Sequence, residues 1–144
     1  MIAVIQRCSQ GKVTVSDKVV GEISHGLVIL LGVQKNDTEN DAEFLVNKIC
    51  GLRIFNDEND KMNLSIKDVN GSALVISQFT LCGDTKKGRR PSFTCAAPPE
   101  KGEQLYEYFC ERLRKLEVPV ETGEFGAMMD VSLVNDGPVT FVMD

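Results

Sequence analysis

Two short stretches carry groups whose types suit chemistry. Ser77-Gln78-Phe79-Thr80-Leu81 places two hydroxyls and a carboxamide where an apolar run, Ser72 to Ile76, comes to an end. Small polar groups at the end of a buried strand are held by rigid backbone, which suits them to orient a reacting group. The plainer account is a strand end fading into solvent. The other stretch, Asn135-Asp136-Gly137-Pro138-Val139-Thr140, lies between two β-branched runs, Met128–Val134 and Val139–Met143. Proline brings no N–H to a ladder and glycine adds unfolded-state entropy, so on position alone Gly137-Pro138 reads as a turn. Its sharper reading is rigid backbone presented to a ligand. X-Pro bonds are where cis peptides occur, and a cis bond would turn two neighbouring carbonyls to the same side.

The missing residue types narrow the chemistry. His25 is the single histidine, set between Ser24 and Gly26 in a turn-like context. A Ser-His-Asp triad or a histidine-rich metal site would have to use it. It reads as a surface turn residue, so the expectation is chemistry without a histidine base, a metal or a cofactor. Cys8, Cys50, Cys82, Cys95 and Cys110 are odd in number and form no C-x-x-C pair, which leaves free thiols in a reducing compartment or a leftover thiol in a secreted protein; the lack of a recognisable leader favours the first. A cysteine hydrolase using Cys82 or Cys95 is an alternative, set against the far more frequent inert core cysteine. Asn56 to Lys61 has the acidity of a calcium loop but lacks its glycine and distant bidentate acid, and reads as a solvated turn.

The 144 residues suit one domain, 1–144, with a sizeable core, and 42% hydrophobic with 26% charged residues is an ordinary globular balance. A net charge of -5 does not advertise nucleic acid over the whole surface. Against that background Lys86, Lys87, Arg89 and Arg90 crowd into five positions, followed by Phe93. Such a run is usually a solvated loop; its functional reading is a contact to phosphates, with Phe93 near enough to stack. No leader peptide is recognisable and no apolar run approaches the roughly 20 residues of a membrane span, so a cytoplasmic protein is expected.

The elements that must position these groups follow from periodicity. Ile2 to Cys8 alternates as a strand, with Ala3, Ile5 and Arg7 on one face, and Gly11 ends it. Arg7 is either a snorkelling surface arginine or a planar donor holding the carbonyls of a neighbouring loop. Lys12–Val15 and Val19–Ile23 flank Ser16-Asp17-Lys18 as a hairpin. Gly26–Val33 is apolar throughout, as in a central strand buried on both faces. Thr38 to Cys50 is an amphipathic helix led by acids, Leu52–Phe55 a short strand, and Cys82–Pro99 a long loop. Glu100 to Leu116 is a second helix with Leu105, Phe109, Leu113 and Leu116 as its stripe. Val118–Glu121 is a further strand, and Thr122–Ala127 a loop displaying Phe125.

Ser77-Gln78-Phe79-Thr80-Leu81 together with Asn135-Asp136-Gly137-Pro138-Val139-Thr140 resembles the D-aminoacyl-tRNA deacylase family. Ala3-Val4-Ile5-Gln6-Arg7 is similar to its first strand. Gly88-Arg89-Arg90-Pro91-Ser92-Phe93 and Thr122-Gly123-Glu124-Phe125-Gly126-Ala127 are similar to its intervening segments, so the likeness spans the chain in order. Each motif is weak alone; the joint occurrence is specific. The resemblance implies a compact β-rich α/β domain, with mixed and antiparallel sheets in a barrel-like arrangement and two main helices, assembled as a homodimer. It implies hydrolysis of D-aminoacyl-tRNA, and of glycyl-tRNA, at the ester on the 3′-terminal adenosine, with no role for DNA or membrane. In such a protein Ser77, Gln78, Phe79 and Thr80 form the catalytic segment. A cis Gly137-Pro138, oriented by Arg7, would reach into the partner subunit's pocket to hold the substrate amino group and reject L side chains. Phe125 and Met129 are expected to line the adenine pocket, and Lys86, Lys87, Arg89 and Arg90 to meet tRNA phosphates. The competing expectation is a non-catalytic RNA-binding module.

Overall fold

The computed structural model describes residues 1–144. Its elements run in the order β1 (Ile2–Val15), β2 (Lys18–Ile23), β3 (Gly26–Gly32), α1 (Glu39–Gly51), β4 (Phe55–Asn56), β5 (Met62–Leu64), β6 (Ser72–Ser77), a 3-10 turn (Phe79–Cys82), α2 (Pro99–Lys115), β7 (Val120–Thr122) and β8 (Asp130–Met143). The main sheet has the order β2-β1-β3-β6-β7, with β8 also paired to β1. β1 lies antiparallel to β2, β3 and β8, while β3, β6 and β7 run parallel. The mixed sheet curls until β2 meets β7, nearly closing a barrel. At that seam a side chain on Gly21 would collide with the Thr122 carbonyl, so the close approach requires glycine.

The central strands are apolar on both faces because each face meets a different core. Leu27, Ile29 and Leu31 of β3 and Ala73 and Val75 of β6 join Ala3 and Ile5 beneath the helices, against Leu45 and Ile49 of α1 and Phe109 and Leu113 of α2. Val28, Leu74 and Ile76, one residue out of step, point inside the curl to meet Cys8, Val13 and Ile23. Each fully buried Leu, Ile or Phe contributes about 1.5–3 kcal/mol of transfer free energy, so the two-sided run supplies much of the stability. α1 begins at Thr38, whose backbone N–H donates to the Asp41 carboxylate at 2.8 Å in a capping box.

Three expectations are corrected. Gly11 does not end β1. The strand continues through it to Val15, because a partner lies on both edges and a Cβ there would stand only 2.8 Å from Val28 Cγ2. Leu52–Phe55 is not a strand: Leu52 caps α1, donating its N–H to Lys48 and Ile49, and pairing starts at Phe55. Val134–Thr140 is not a turn between two strands. It is the middle of the single 14-residue strand β8, which holds register with β1 on both sides of Gly137-Pro138.

Cys8 and Cys110 are buried in the two cores, and burial pushes each thiol from 9.0 up to about 11. Between those values the unfolded chain releases protons that the folded chain keeps. Stability therefore falls as pH rises through that window. The urea midpoint is expected to drop between pH 9 and 11, and to drop less steeply in Cys110→Ala, which is less stable at pH 7 but has lost one of the thiols that burial raises. Equal slopes in the two proteins would refute it.

Candidate active site

The end of β6 opens onto a cavity of ≈ 590 Å³ that receives Ser77, Gln78 and Phe79 from one side and Phe125 and Met129 from the other. Strand pairing stops there for a local reason. Gln78 donates its N–H to the Leu31 carbonyl at 2.8 Å, and the chain then tightens into the 3-10 turn. That turn packs directly over Gly32, where a Cβ would sit 3.0 Å from Leu81 Cβ and 3.1 Å from the Gln78 carbonyl oxygen. The N–H groups of Phe79 and Thr80 open the turn, so neither has an acceptor within it. The Gln78 carboxamide donates to the Thr80 hydroxyl, tying the two polar side chains together. Thr80 itself is exposed beside the cavity and is not part of its wall.

The opposite wall comes from the β7–β8 connection. The Phe125 ring packs 5.9 Å from that of Tyr106 and lies over Gly102 of α2, where a Cβ would be 3.6 Å from its Cζ. Tyr106 donates its hydroxyl to the Val75 carbonyl at 2.7 Å, and burial pushes that hydroxyl's pKa well up. The aromatic wall is thereby fastened to the strand that ends in Ser77. Met129 accepts the Glu124 N–H on Sδ at 3.4 Å, which folds the loop back on itself. Nothing in the sequence marks Tyr106 as a support for Phe125.

Gly137 and Pro138 lie elsewhere. β1 and β8 pair at Gln6↔Thr140 and at Cys8↔Asn135, so Asp136, Gly137, Pro138 and Val139 stand opposite Arg7 alone. The excess chain bulges from the sheet, with the Gly137-Pro138 peptide cis and both residues exposed. Gly137 has a φ of +142, and a Cβ there would lie 2.6 Å from Val139 Cγ2, so both conformation and space require glycine. Asn135 closes the neck of the bulge. It accepts the Val139 N–H at 2.6 Å and donates to the Val139 carbonyl at 3.3 Å and the Thr140 hydroxyl at 2.9 Å. Arg7 is buried at 5% exposure, not snorkelling. Its Nε donates to the Asp136 carbonyl at 2.9 Å and lies 3.4 Å from the Asp136 carboxylate. Its Nη1 donates to the Ile54 carbonyl at 2.8 Å and to Asn56 Oδ1 at 3.2 Å. The bulge does not line the cavity of its own chain.

Lys86, Lys87, Arg89 and Arg90 are exposed on a loop closed by reciprocal Asp84–Ser92 backbone hydrogen bonds of 2.7 and 2.9 Å. None of the four reaches the cavity wall. Cys82 and Cys95 are absent from that wall as well. Burial raises the Cys82 thiol, which donates to the Val33 carbonyl, and His25 packs on Phe55 at 5.2 Å. A low-pKa thiol paired with imidazole is therefore not what these side chains form. No helix is long and apolar enough to cross a membrane.

A family model described as D-Tyr-tRNA(Tyr) deacylase matches residues 4–144. The D-aminoacyl-tRNA deacylase of Thermotoga petrophila is 60% identical over 100% of this chain and 97% of its own length. That of Bacillus cytotoxicus is 56% identical over 100% and 99%. Among solved structures, a c-Myc DNA unwinding element binding protein superimposes with a TM-score of 0.94 at 40% identity, covering 100% of this chain and 98% of that one. A probable eukaryotic D-amino acid tRNA deacylase gives 0.83 at 20% identity over 99% and 97%, a likeness of fold. With a family match from residue 4 to the last and relatives of this identity along the whole length, the chain belongs to the D-Tyr-tRNA(Tyr) deacylase family.

Proposed function

We propose that the protein is a hydrolase that removes D-amino acids from tRNA in the cytoplasm, by cleaving the ester on the 3′-terminal adenosine. The observation that carries the chiral part of this reading is the bulge at Gly137-Pro138, braced by Arg7 and Asn135 yet standing outside its own chain's cavity. Such a feature has a use if it enters the cavity of a second copy. β8 supports that assembly: it is an edge strand exposing Val131, Val134, Phe141 and Val142, the kind of surface a partner copy covers. In the homodimer, the carbonyls of Gly137 and Pro138 hold the substrate α-amino group. An L side chain then points into the motif and a D side chain away from it. Selectivity comes from exclusion by backbone, which has no means of rejecting glycine, so glycyl-tRNA is cleaved too.

The reacting atoms meet groups from the catalytic segment. Water adds to the ester carbonyl. The oxyanion forms toward the free N–H groups of Phe79 and Thr80, and loss of one such donor typically costs about 3 kcal/mol. The tetrahedral species expels the ribose oxygen, which takes one of the water's two protons; the other is released to solvent as the amino acid leaves as its carboxylate. The neighbouring ribose 2′-hydroxyl helps activate the water. Thr80 positions and does not attack, since its hydroxyl is bonded by the Gln78 carboxamide and has no base beside it. Ser77 and Gln78 fix the approach, Phe125 and Met129 sandwich the adenine, and Lys86, Lys87, Arg89 and Arg90 neutralise phosphates.

Release of amino acid from matched D- and L-tyrosyl-tRNA tests the reading. The protein is expected to hydrolyse the D ester and leave the L ester intact. Binding of tRNA without release of either would establish an RNA-binding module instead. In Gly137→Ala, which crowds Val139, D-ester turnover should drop or the preference for D over L should collapse. Full activity with unchanged selectivity would show that the bulge is only structural. Thr80→Ala should slow turnover by about 10- to 100-fold while leaving it measurable, the scale of losing one hydrogen bond to a charged group; complete loss would make Thr80 the nucleophile. Asn135→Ala unties the neck of the bulge, and is expected to lower the D-over-L ratio while Ser77-side contacts are untouched. A proportional loss toward both esters would assign Asn135 to stability alone.

A further inference from the structure

We propose that Phe93, packed edge-on against Phe79, is a stacking platform for the nucleotide that precedes the terminal adenosine. The Lys86–Arg90 loop flanks it and takes the adjoining phosphates. This rests on the reading above, in which the terminal adenosine occupies the cavity.

Phe79 and Phe93 are both exposed, at 57% and 38%, with ring centroids 5.2 Å apart and planes at 62°. Neither belongs to a buried core. One exposed aromatic is ordinary; two in contact, beside four cations on an acidic chain, form a distinct surface. Phe79 also lines the cavity. It is therefore the partition between the terminal pocket and the outside, and Phe93 is the next apolar surface a strand meets on leaving. The position of Phe93 is fixed from both sides. Ser92 is held by the Asp84 bridge, and a Cβ on Gly83 would come 3.0 Å from Phe93 Cε1, so glycine there lets the ring pack close to the backbone.

The chemistry of the ligand follows. A net charge of -5 repels phosphate at long range, so attraction must come from the local cations and from contacts short enough to escape screening. Aromatic faces bind any unpaired base, whereas paired bases offer no free face. The platform thus suits a single-stranded 3′ end whose bases are splayed, one into the cavity and the next onto Phe93.

The test uses uncharged RNA hairpins with a single-stranded 3′ overhang, so that binding is read apart from ester cleavage. Three probes are compared by fluorescence anisotropy: the complete overhang, the same overhang with an abasic penultimate residue, and one lacking the terminal adenosine. The unaltered protein is expected to bind the abasic probe about tenfold more weakly than the complete one, the scale of one base–aromatic stack. Phe93→Ala should bind both equally. Arg89→Ala should weaken both to the same extent and flatten the salt dependence. Equal binding of complete and abasic probes by the unaltered protein overturns the platform, whatever the variants do. If removal of the terminal adenosine also has no effect, the cavity reading itself fails; if it weakens binding while the abasic probe does not, only the platform falls.

Discussion

A guanidinium taken out of water is a liability unless its donors are used, and Arg7 uses its donors to join three separate segments. Desolvating a cation costs several kcal/mol, and the return depends on geometry and on satisfying the remaining donors. Arg7 bonds the Asp136 carbonyl, the Ile54 carbonyl and the Asn56 side chain, with the Asp136 carboxylate close by. Bonds to a charged donor are roughly twice as strong as neutral ones, and here they bind β1 to β4 and to the one stretch of β8 that leaves the sheet. A lysine could not replace it, since a single ammonium does not supply a planar fork with donors on two edges. Ile54, just before β4, and Asn56 within it supply two of the acceptors that hold Arg7 in place under the bulge.

Arg7 works together with Asn135, which acts on the same bulge from the opposite direction. Four residues of β8 face one of β1, and a bulge of that size would ordinarily be loose. Asn135 substitutes its carboxamide for the missing backbone ladder, accepting from and donating to Val139 as a paired strand would. Val139 then drops into the core at 8% exposure and anchors the far side. Between the two braces only Gly137 and Pro138 project freely, and neither carries a functional side chain. What these two residues present to the outside is main chain and a proline ring.

Features that depend on a single element were legible in the sequence. Gly26–Val33 reads as doubly buried because both of its faces are apolar, and the two helices follow from their stripes and leading acids. The convergence of Ser77, Gln78 and Phe79 with Phe125 and Met129 at one cavity was expected from resemblance, not from spacing. What failed depends on partners distant in sequence. Gly11 looks like a stop until β3 packs against it, and Gly137-Pro138 looks like a turn until β1 is seen pairing on both sides of it. Local signals for turn and strand were in direct competition at Asp136–Val139, and pairing with β1 on both sides of the bulge settled the contest. The bracing role of Asn135 and the support of Phe125 by Tyr106 had no sequence signal, because each is a contact and not a pattern.

The groups assembled around the cavity share a chemical character that bears on how the site works. They are a hydroxyl, a carboxamide, main-chain amides, aromatic rings, two thioethers and aliphatic groups; no side chain of these types titrates near neutrality. For the hydrolysis proposed above, proton exchange by these side chains is therefore a poor account of rate enhancement, and positioning is a better one. Orientation of reactants can be worth about 7–11 kcal/mol, and a fixed oxyanion donor about 3, so an ester that is already activated needs little else. The same character explains why the site is composed of strand ends, a tight 3-10 turn and braced backbone. Groups that act by position alone lose their effect when they move, and the main chain beside them is tied at Leu31, Val75 and Val139 by short hydrogen bonds.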